Sequence, residues 1–310
     1  MKWISTLCVG VILGIASQRA DAQQLPHFSY FTYNYINYNP AVTGFTPCPE
    51  MRLGYRQQWV GFEGSPASAF AVAHGRVGVK RKSFHGLGGY IENDAAGPFS
   101  YTSLHGNYAF HLKLSKGYTL SSGISVGFSQ NRIDFGKMTL EIQQNDPAIT
   151  SSVSEFIFPQ INMGFWLYKS NRFYGVSLRQ VRQSTIEDLE PQSLRTHMTM
   201  SYGAAIVMSE DVTFKPAALL NYVGRSRASV EAQAVFDYRQ IIALGAGMRS
   251  GNGFSALLKI DMIRYLTLIY AYDLTLSKLR FDSSGSHEVT LGFRACSDAE
   301  KGHVPCAAYN

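Results

Sequence analysis

The sequence predicts an all-β protein: an antiparallel transmembrane β-barrel of about 14 strands. Three observations predict it. Apolar and small polar residues alternate with period two in segment after segment. Large greasy faces oppose faces of Gly, Ser and Thr with scattered charges. The connections between segments fall into a long set and a short set. The stretch Tyr118 to Ser129 is typical, with Leu120, Ile124, Val126 and Phe128 on one face and Thr119, Ser121, Gly123, Ser125, Gly127 and Ser129 on the other. A soluble sheet would carry more Lys and Glu on its polar face. Lipid calls for the greasy band, and closing the sheet into a cylinder removes every unpaired backbone edge.

Composition agrees. Charged residues are only 16% of 310, and 18 Tyr and 19 Phe exclude a disordered chain. Lys2, the apolar stretch Trp3 to Ala16 and the A-x-A site Ala20-Asp21-Ala22 read as a signal peptide over residues 1–22, with Gln23 as the first mature residue. That core is too short for a stable span, and beyond it no apolar run reaches eighteen residues, which excludes a helical membrane protein. Removing residues 1–22 takes away Lys2, Arg19 and Asp21 and leaves a net charge of +5. With no basic helix, that gives no reason to expect nucleic acid. Cys8 leaves with the signal, so Cys48, Cys296 and Cys306 are the mature cysteines. Export permits a disulfide. Cys296 with Cys306 would close a short tail loop; Cys48 with either tail cysteine is the other option. The spacing matches no zinc site, and no cofactor is expected.

In chain order, the strand segments are 51–60, 68–77, 85–93, 100–112, 117–128, 159–168, 172–180, 196–208, 212–222, 228–237, 240–249, 253–261, 264–274 and 287–295. Most approach the ~9–11 residues that a tilted strand needs to cross. Glycine blurs the alternation in 85–93, and 172–180 is irregular, so twelve and sixteen strands bracket the count. The barrel is expected over 51–295, behind a lead-in at 23–50 and ahead of a periplasmic tail at 296–310. With both termini in the periplasm of a bacterial outer membrane, odd connections face outward. The three long ones, 129–158, 181–195 and 275–286, are all odd, and the even ones are tight turns such as Ser115-Lys116-Gly117.

The lead-in reads HFSYFTYNYINYNPAVTGF, and MRLGYRQQWVGFEGSPASAF follows shortly after. These blocks resemble the PorP/SprF family, outer-membrane proteins of the type IX secretion and gliding machinery of Bacteroidetes. The family's NPA-x-x-G element is matched by Asn39, Pro40, Ala41 and Gly44. Its YR-x-QW-x-G-x-x-G-x-P element is matched by Tyr55, Arg56, Gln58, Trp59, Gly61, Gly64 and Pro66. SHEVTLGFR resembles its last strand. The departures are Ser68 where the family usually has Thr, and the cysteine-bearing tail beyond Arg294. The resemblance implies a non-enzymatic protein that supports export or surface attachment of proteins with a type IX C-terminal signal. It also implies partners among the periplasmic ring and lipoprotein parts of the machine.

Strand alternation sends Arg56 into the lumen, within reach of Glu288 or Asp273. If the first and last strands close the barrel, Glu288 and Arg294 become its neighbours. Trp59 would anchor the rim at the lipid headgroups, or mark a corner where Arg56 or Gln58 pins the following loop. The lead-in would fold into the lumen as a partial plug or dock a periplasmic partner, or be no more than an ordered approach to the first strand. Two other functions compete: a porin for small solutes and, from Ser103, His105, Asn107 and His111 on one face, a lipase. Ser and His two apart on a strand are ~6–7 Å apart, too far for a nucleophile–base hydrogen bond. The Gly-rich HGLGGY and GRVGVKRK segments precede no helix and make no phosphate loop. The mature polypeptide is expected to fold only in detergent or lipid; a well-folded monomer in plain buffer, seen by sedimentation and circular dichroism, would overturn the barrel.

Overall fold

The computed structural model describes residues 26–137, 153–181, 195–224, 228–250, 253–263, 265–275 and 283–295. The expected signal peptide, most of the three long connections and the tail lie outside them.

Fifteen strands form one antiparallel sheet: β1 (Glu50–Gln57), β2 (Ala67–Val77), β3 (Ser83–Ala96), β4 (Phe99–Lys113), β5 (Thr119–Asp134), β6 (Val153–Lys169), β7 (Arg172–Arg179), β8 (His197–Ala204), β9 (Ile206–Val207), β10 (Val212–Val223), β11 (Ser229–Tyr238), β12 (Ile242–Arg249), β13 (Gly253–Ile263), β14 (Leu266–Thr275) and β15 (Ser286–Arg294). Each stave pairs with its neighbours in sequence, and β1 pairs with β15, which closes the ring. The short β9 continues β8 past Ala205 and pairs with the start of β10, so the barrel has fourteen staves.

Alternation sets the faces. On β5, Ser121, Ser125 and Ser129 are buried while Ile124, Val126 and Phe128 are exposed on the outside. Met51, Leu53 and Tyr55 on β1, Leu244 and Met248 on β12, and Val289, Leu291 and Phe293 on β15 are likewise exposed. A belt of large apolar side chains around a cylinder far exceeds the few hundred Å² patches of soluble proteins. Hydrocarbon accommodates it.

Several boundaries differ from the sequence reading for local reasons. The first strand stops at Gln57, because Gln58 N–H donates to the Pro66 carbonyl (2.8 Å) and Trp59 takes a left-handed φ of 46°. Segment 196–208 breaks at Ala205, whose N–H donates to the Asn171 carbonyl. β5 and β6 run on in register from Thr119↔Tyr168 to Asp134↔Val153, so both strands extend well into the expected connection 129–158. β3 and β4 extend until a two-residue turn remains, with Gly97 at φ 56°. The short connections gather at the end that carries Glu50 and Arg294, and the long ones at the far end.

The lumen is occupied by the chain's own N-terminal segment. Residues 28–46 are all buried, folded into single turns at Phe31–Tyr33, Tyr35–Tyr38 and Pro40–Val42. Each of the three buried apolar clusters contains residues of this plug. Phe31, Tyr35, Ala41 and Phe45 pack with Trp166, Phe173 and Leu219. Tyr30 and Tyr33 pack with Val235, Leu257 and Ile269. Phe28 and Ile36 pack with Phe70, Val72 and Tyr90. Inside the barrel, small wall residues let the plug backbone come close. A Cβ on Gly123 would overlap the Ala41 backbone, and one on Gly86 would overlap the Thr43 carbonyl. Leucine in place of Gly123 should therefore displace the plug, at a cost of at least the ~1–3 kcal/mol of core overpacking. Proteolysis of the detergent-solubilised barrel would show new cleavage within 28–46, and alanine at Gly224, which has open space around it, would not.

Candidate functional site

The site is the set of contacts between plug and wall. Its first half is the Asn-Pro-Ala element. Asn39 caps a short turn: its Oδ1 accepts from the Ala41 N–H (3.0 Å), while its Nδ2 donates to the carbonyls of Phe165 (3.0 Å) and Val176 (3.3 Å) on β6 and β7. Pro40 opens the turn, where a missing N–H costs nothing. The backbone of Ala41 lies close against Gly123, and its carbonyl accepts from Ser121 Oγ (2.7 Å). Gly44 sits at φ 71° against Gly86. Its N–H donates to His74 Nδ1 (3.2 Å), and Arg76 reaches the carbonyls of Gly44 (3.3 Å) and Phe45 (2.6 Å). His111 Nε2 donates to the Thr43 carbonyl (2.9 Å).

The second half holds the start of the plug. Arg56 points into the lumen and meets Asp273 at 2.6 Å and Glu288 at 3.5 Å, and it donates to Ser29 Oγ. Glu288 also accepts from the N–H groups of Ser29 (2.6 Å) and Tyr30 (3.4 Å), and Ser29 Oγ donates to Asp273 (2.6 Å). One cation and two carboxylates thus fix a plug backbone to β1, β14 and β15. Arg294, expected beside this pair, lies at the opposite end of β15. It pairs with Glu50 at 2.6 Å, in a second cluster with Arg52 and His74. The alternation was right about its face; its height along the strand separates it from Arg56. Arg52 in turn donates to the Tyr33 carbonyl and covers the Tyr33 ring at 4.1 Å.

Beyond β1 the second motif becomes a turn at the far end. Gly61 and Gly64 take φ of 109° and 69°, and Gln57 Nε2 donates to Ser65 Oγ (2.7 Å). Trp59 lies in this turn rather than on a strand, half-buried, so alternation does not set its direction. The N–H groups of Trp59 and Val60 donate to Ser286 Oγ (3.2 Å) and the Gly285 carbonyl (2.9 Å). Trp59, Gln58 and Arg56 border a recess of about 90 Å³. Tyr55 is on the lipid face. At the opposite end a hollow of about 870 Å³ opens beside Pro49, Glu50, Gly88, Phe293 and Arg294.

Other lumen groups were not singled out from sequence: Glu231 with His27 (2.7 Å) and Arg249 (3.3 Å), and Glu92 with Arg179 (3.4 Å). Inward position on a strand was the available signal. Burial pushes the Tyr38 hydroxyl well above its usual range, with the Glu231 carboxylate adding to the effect, so this plug phenol stays neutral. Ser103, His105, Asn107 and His111 all point inward and are buried. Ser103 donates to Glu92 (3.1 Å) and His105 Nδ1 meets Ser125 Oγ (3.1 Å). Among the described residues, no group of His, Cys, Asp and Glu could hold a metal. Cys48 is buried and disulfide-bonded; Cys296 and Cys306 lie outside the described residues.

A closed, internally plugged antiparallel barrel of outer-membrane type is the class this geometry defines. Among solved structures, the toluene transporter TbuX of Ralstonia pickettii superposes with a TM-score of 0.54 at 8% identity, over 84% of this chain and 93% of that one. A Pseudomonas aeruginosa FadL homologue gives 0.48 at 9% identity, over 87% and 94%. No curated protein matches the sequence. The family model described as type IX secretion system membrane protein PorP/SprF matches residues 20–293, and the chain belongs to that family.

Removing the Arg56 guanidinium leaves Glu288 buried without its cation. Arg56→Ala should therefore destabilise the barrel by about 3–5 kcal/mol, measured by urea titration of refolding in detergent micelles. Tyr55→Phe, which removes only an exposed hydrogen bond from the Tyr55 hydroxyl to Gln57 Oε1 (2.7 Å), should cost no more than about 1 kcal/mol.

Proposed function

We propose that this barrel is a non-enzymatic component of type IX secretion. In this reading it supports export or surface attachment of proteins bearing the type IX C-terminal signal. It does so through contacts with cargo and with the periplasmic ring and lipoprotein parts of the machinery. The observation that carries the reading is the plug. Residues 28–46 are buried across the lumen and bonded to strands all around it, which leaves the barrel to act as a shaped platform. The family's two sequence blocks serve that plug: Asn39, Pro40, Ala41 and Gly44 seat it, and Arg56 holds its start. Gln58, Trp59, Gly61, Gly64 and Pro66 shape the outward turn, where a partner outside the cell would meet the barrel.

The competing reading is uptake of small solutes. TbuX, a toluene transporter by name, shares the fold at 8% identity, and that likeness speaks to fold alone. Planar-bilayer recordings separate the two. A platform gives no steady ion conductance, and a porin gives open-channel steps that would overturn the proposal. A lipase would lose hydrolysis of a fluorescent phospholipid on Ser103→Ala, and indifference to that change dismisses it.

In cells, deleting the gene should remove a defined set of signal-bearing proteins from the surface, read by proteomics of shaved cells. Gly61→Asp forces a side chain onto a φ of 109°, and with Trp59→Ala it should lower surface cargo or barrel level. Wild-type amounts of both in these variants would count against a role for the outward turn.

A further inference from the structure

We infer that one side of the barrel end that carries Glu50 and Arg294 is a docking surface for the acidic face of a folded periplasmic protein. The inference deepens the secretion reading above and rests on it for placing that end in the periplasm. The surface is an arc of three neighbouring turns. The β2–β3 turn carries Lys80, Arg81 and Lys82, the β4–β5 turn Lys113 and Lys116, and the β6–β7 turn Lys169 and Arg172. These stretches, residues 78–82, 113–118 and 169–172, hold seven cations and no Asp or Glu. Six of the seven are exposed; Lys169 is half-buried, with its ammonium 5.5 Å from the centre of the Tyr118 ring.

The turns make one surface because the strands behind them pair without a gap. Lys113 N–H donates to the Lys82 carbonyl at 2.8 Å, which joins the first turn to the second. Thr119 pairs with Tyr168, which joins the second to the third. Four strand spacings separate the first hairpin from the third, ~19 Å, a span that fits inside a standard interface of ~800 Å² per partner. The wall supplies no carboxylate at this height: Glu92, Asp94, Asp134 and Glu155, the acids of β2 to β7, all lie toward the far end. Neighbouring turns are ~10 Å apart, close to the ~8 Å Debye length of physiological salt. Their cations therefore repel one another, and an anionic surface laid across them removes that repulsion.

Lipid headgroups surround the whole barrel, so charge placed for them would recur on turns all around it. Here it is one-sided. Further around the ring, the turns at 208–211 and 239–241 hold Glu210, Asp211 and Arg239, and Arg239 pairs with Asp211 at 2.7 Å. A one-sided pattern fits a partner that approaches from one direction, and its charge fixes that partner's face as acidic.

The test places the photocrosslinker benzoylphenylalanine at Ser115, in the middle of the arc, or at Glu210, in the acidic turn, within the barrel as living cells make it. Both positions are exposed. After irradiation the barrel is purified in detergent and its adducts are read by mass spectrometry. The expected result is a periplasmic protein joined at Ser115 through a segment rich in Asp and Glu, and none at Glu210. Combining Lys80→Glu, Arg81→Glu and Lys82→Glu with the Ser115 probe should lower the adduct about tenfold, in a barrel whose heat-modified gel migration shows it folded. No protein adduct at Ser115 overturns the inference, as does an adduct to lipid or peptidoglycan alone. Equal adducts at the two positions, a joined segment without acidic residues, or full yield in the folded triple variant overturn it too. The comparison of Ser115 with Glu210 decides the matter even where the triple variant fails to assemble. Crosslinking reports docking directly, so it can fail while surface proteins still depend on the barrel, and succeed while they do not.

Discussion

Hydrocarbon offers no hydrogen-bond partner, so each N–H and C=O on a membrane-spanning strand must find its partner in a neighbouring strand. Every other feature of this protein follows from that constraint. The sheet must close, and it does so where β1 meets β15. Closure brings residues from opposite ends of the chain together: Arg56 with Asp273 and Glu288, and Glu50 with Arg294. These pairs are buried, and a charge left alone there would cost several kcal/mol. The seam therefore carries ionic clusters at two heights, and both also grip the plug. Closing the wall and seating the plug draw on the same side chains.

The plug changes the meaning of the small inner face. Gly, Ser and Thr along the lumen suit a water-filled pore, and they equally suit a second layer of backbone packed against the wall. Gly86 and Gly123 favour the second reading, since any Cβ there would collide with the plug. Ser121 and Ser177 donate to plug carbonyls at 2.7 and 2.6 Å, so their hydroxyls serve as backbone partners. The aromatic lead-in is the hydrophobic core of a barrel whose wall is greasy on the outside.

The two family blocks, separated by residues 45–54 in sequence, meet this way in space. Asn39 and Gly44 anchor the plug's end against β2, β3, β6 and β7, and Arg56 anchors its start against β14 and β15. The remaining residues of the second block form the adjoining turn, at the end of the barrel away from Glu50 and Arg294. The plug is thereby fixed at both ends.

Much of this was legible in the sequence, because the period-two pattern is written residue by residue and lipid punishes any break in it. The fourteen staves, the closure, the inward direction of Arg56 and Glu288, and the long-loop end all follow from local alternation and counting. The strand end at Gln57 and the break at Ala205 did not follow, since each depends on a hydrogen bond to a carbonyl outside its own strand, that of Pro66 or Asn171. Nor did the height of Arg294 along the wall, or the small wall residues matched to the plug. Alternation fixes which face a side chain takes, whereas register and close approach are set between strands, and only the closed barrel brings those strands together.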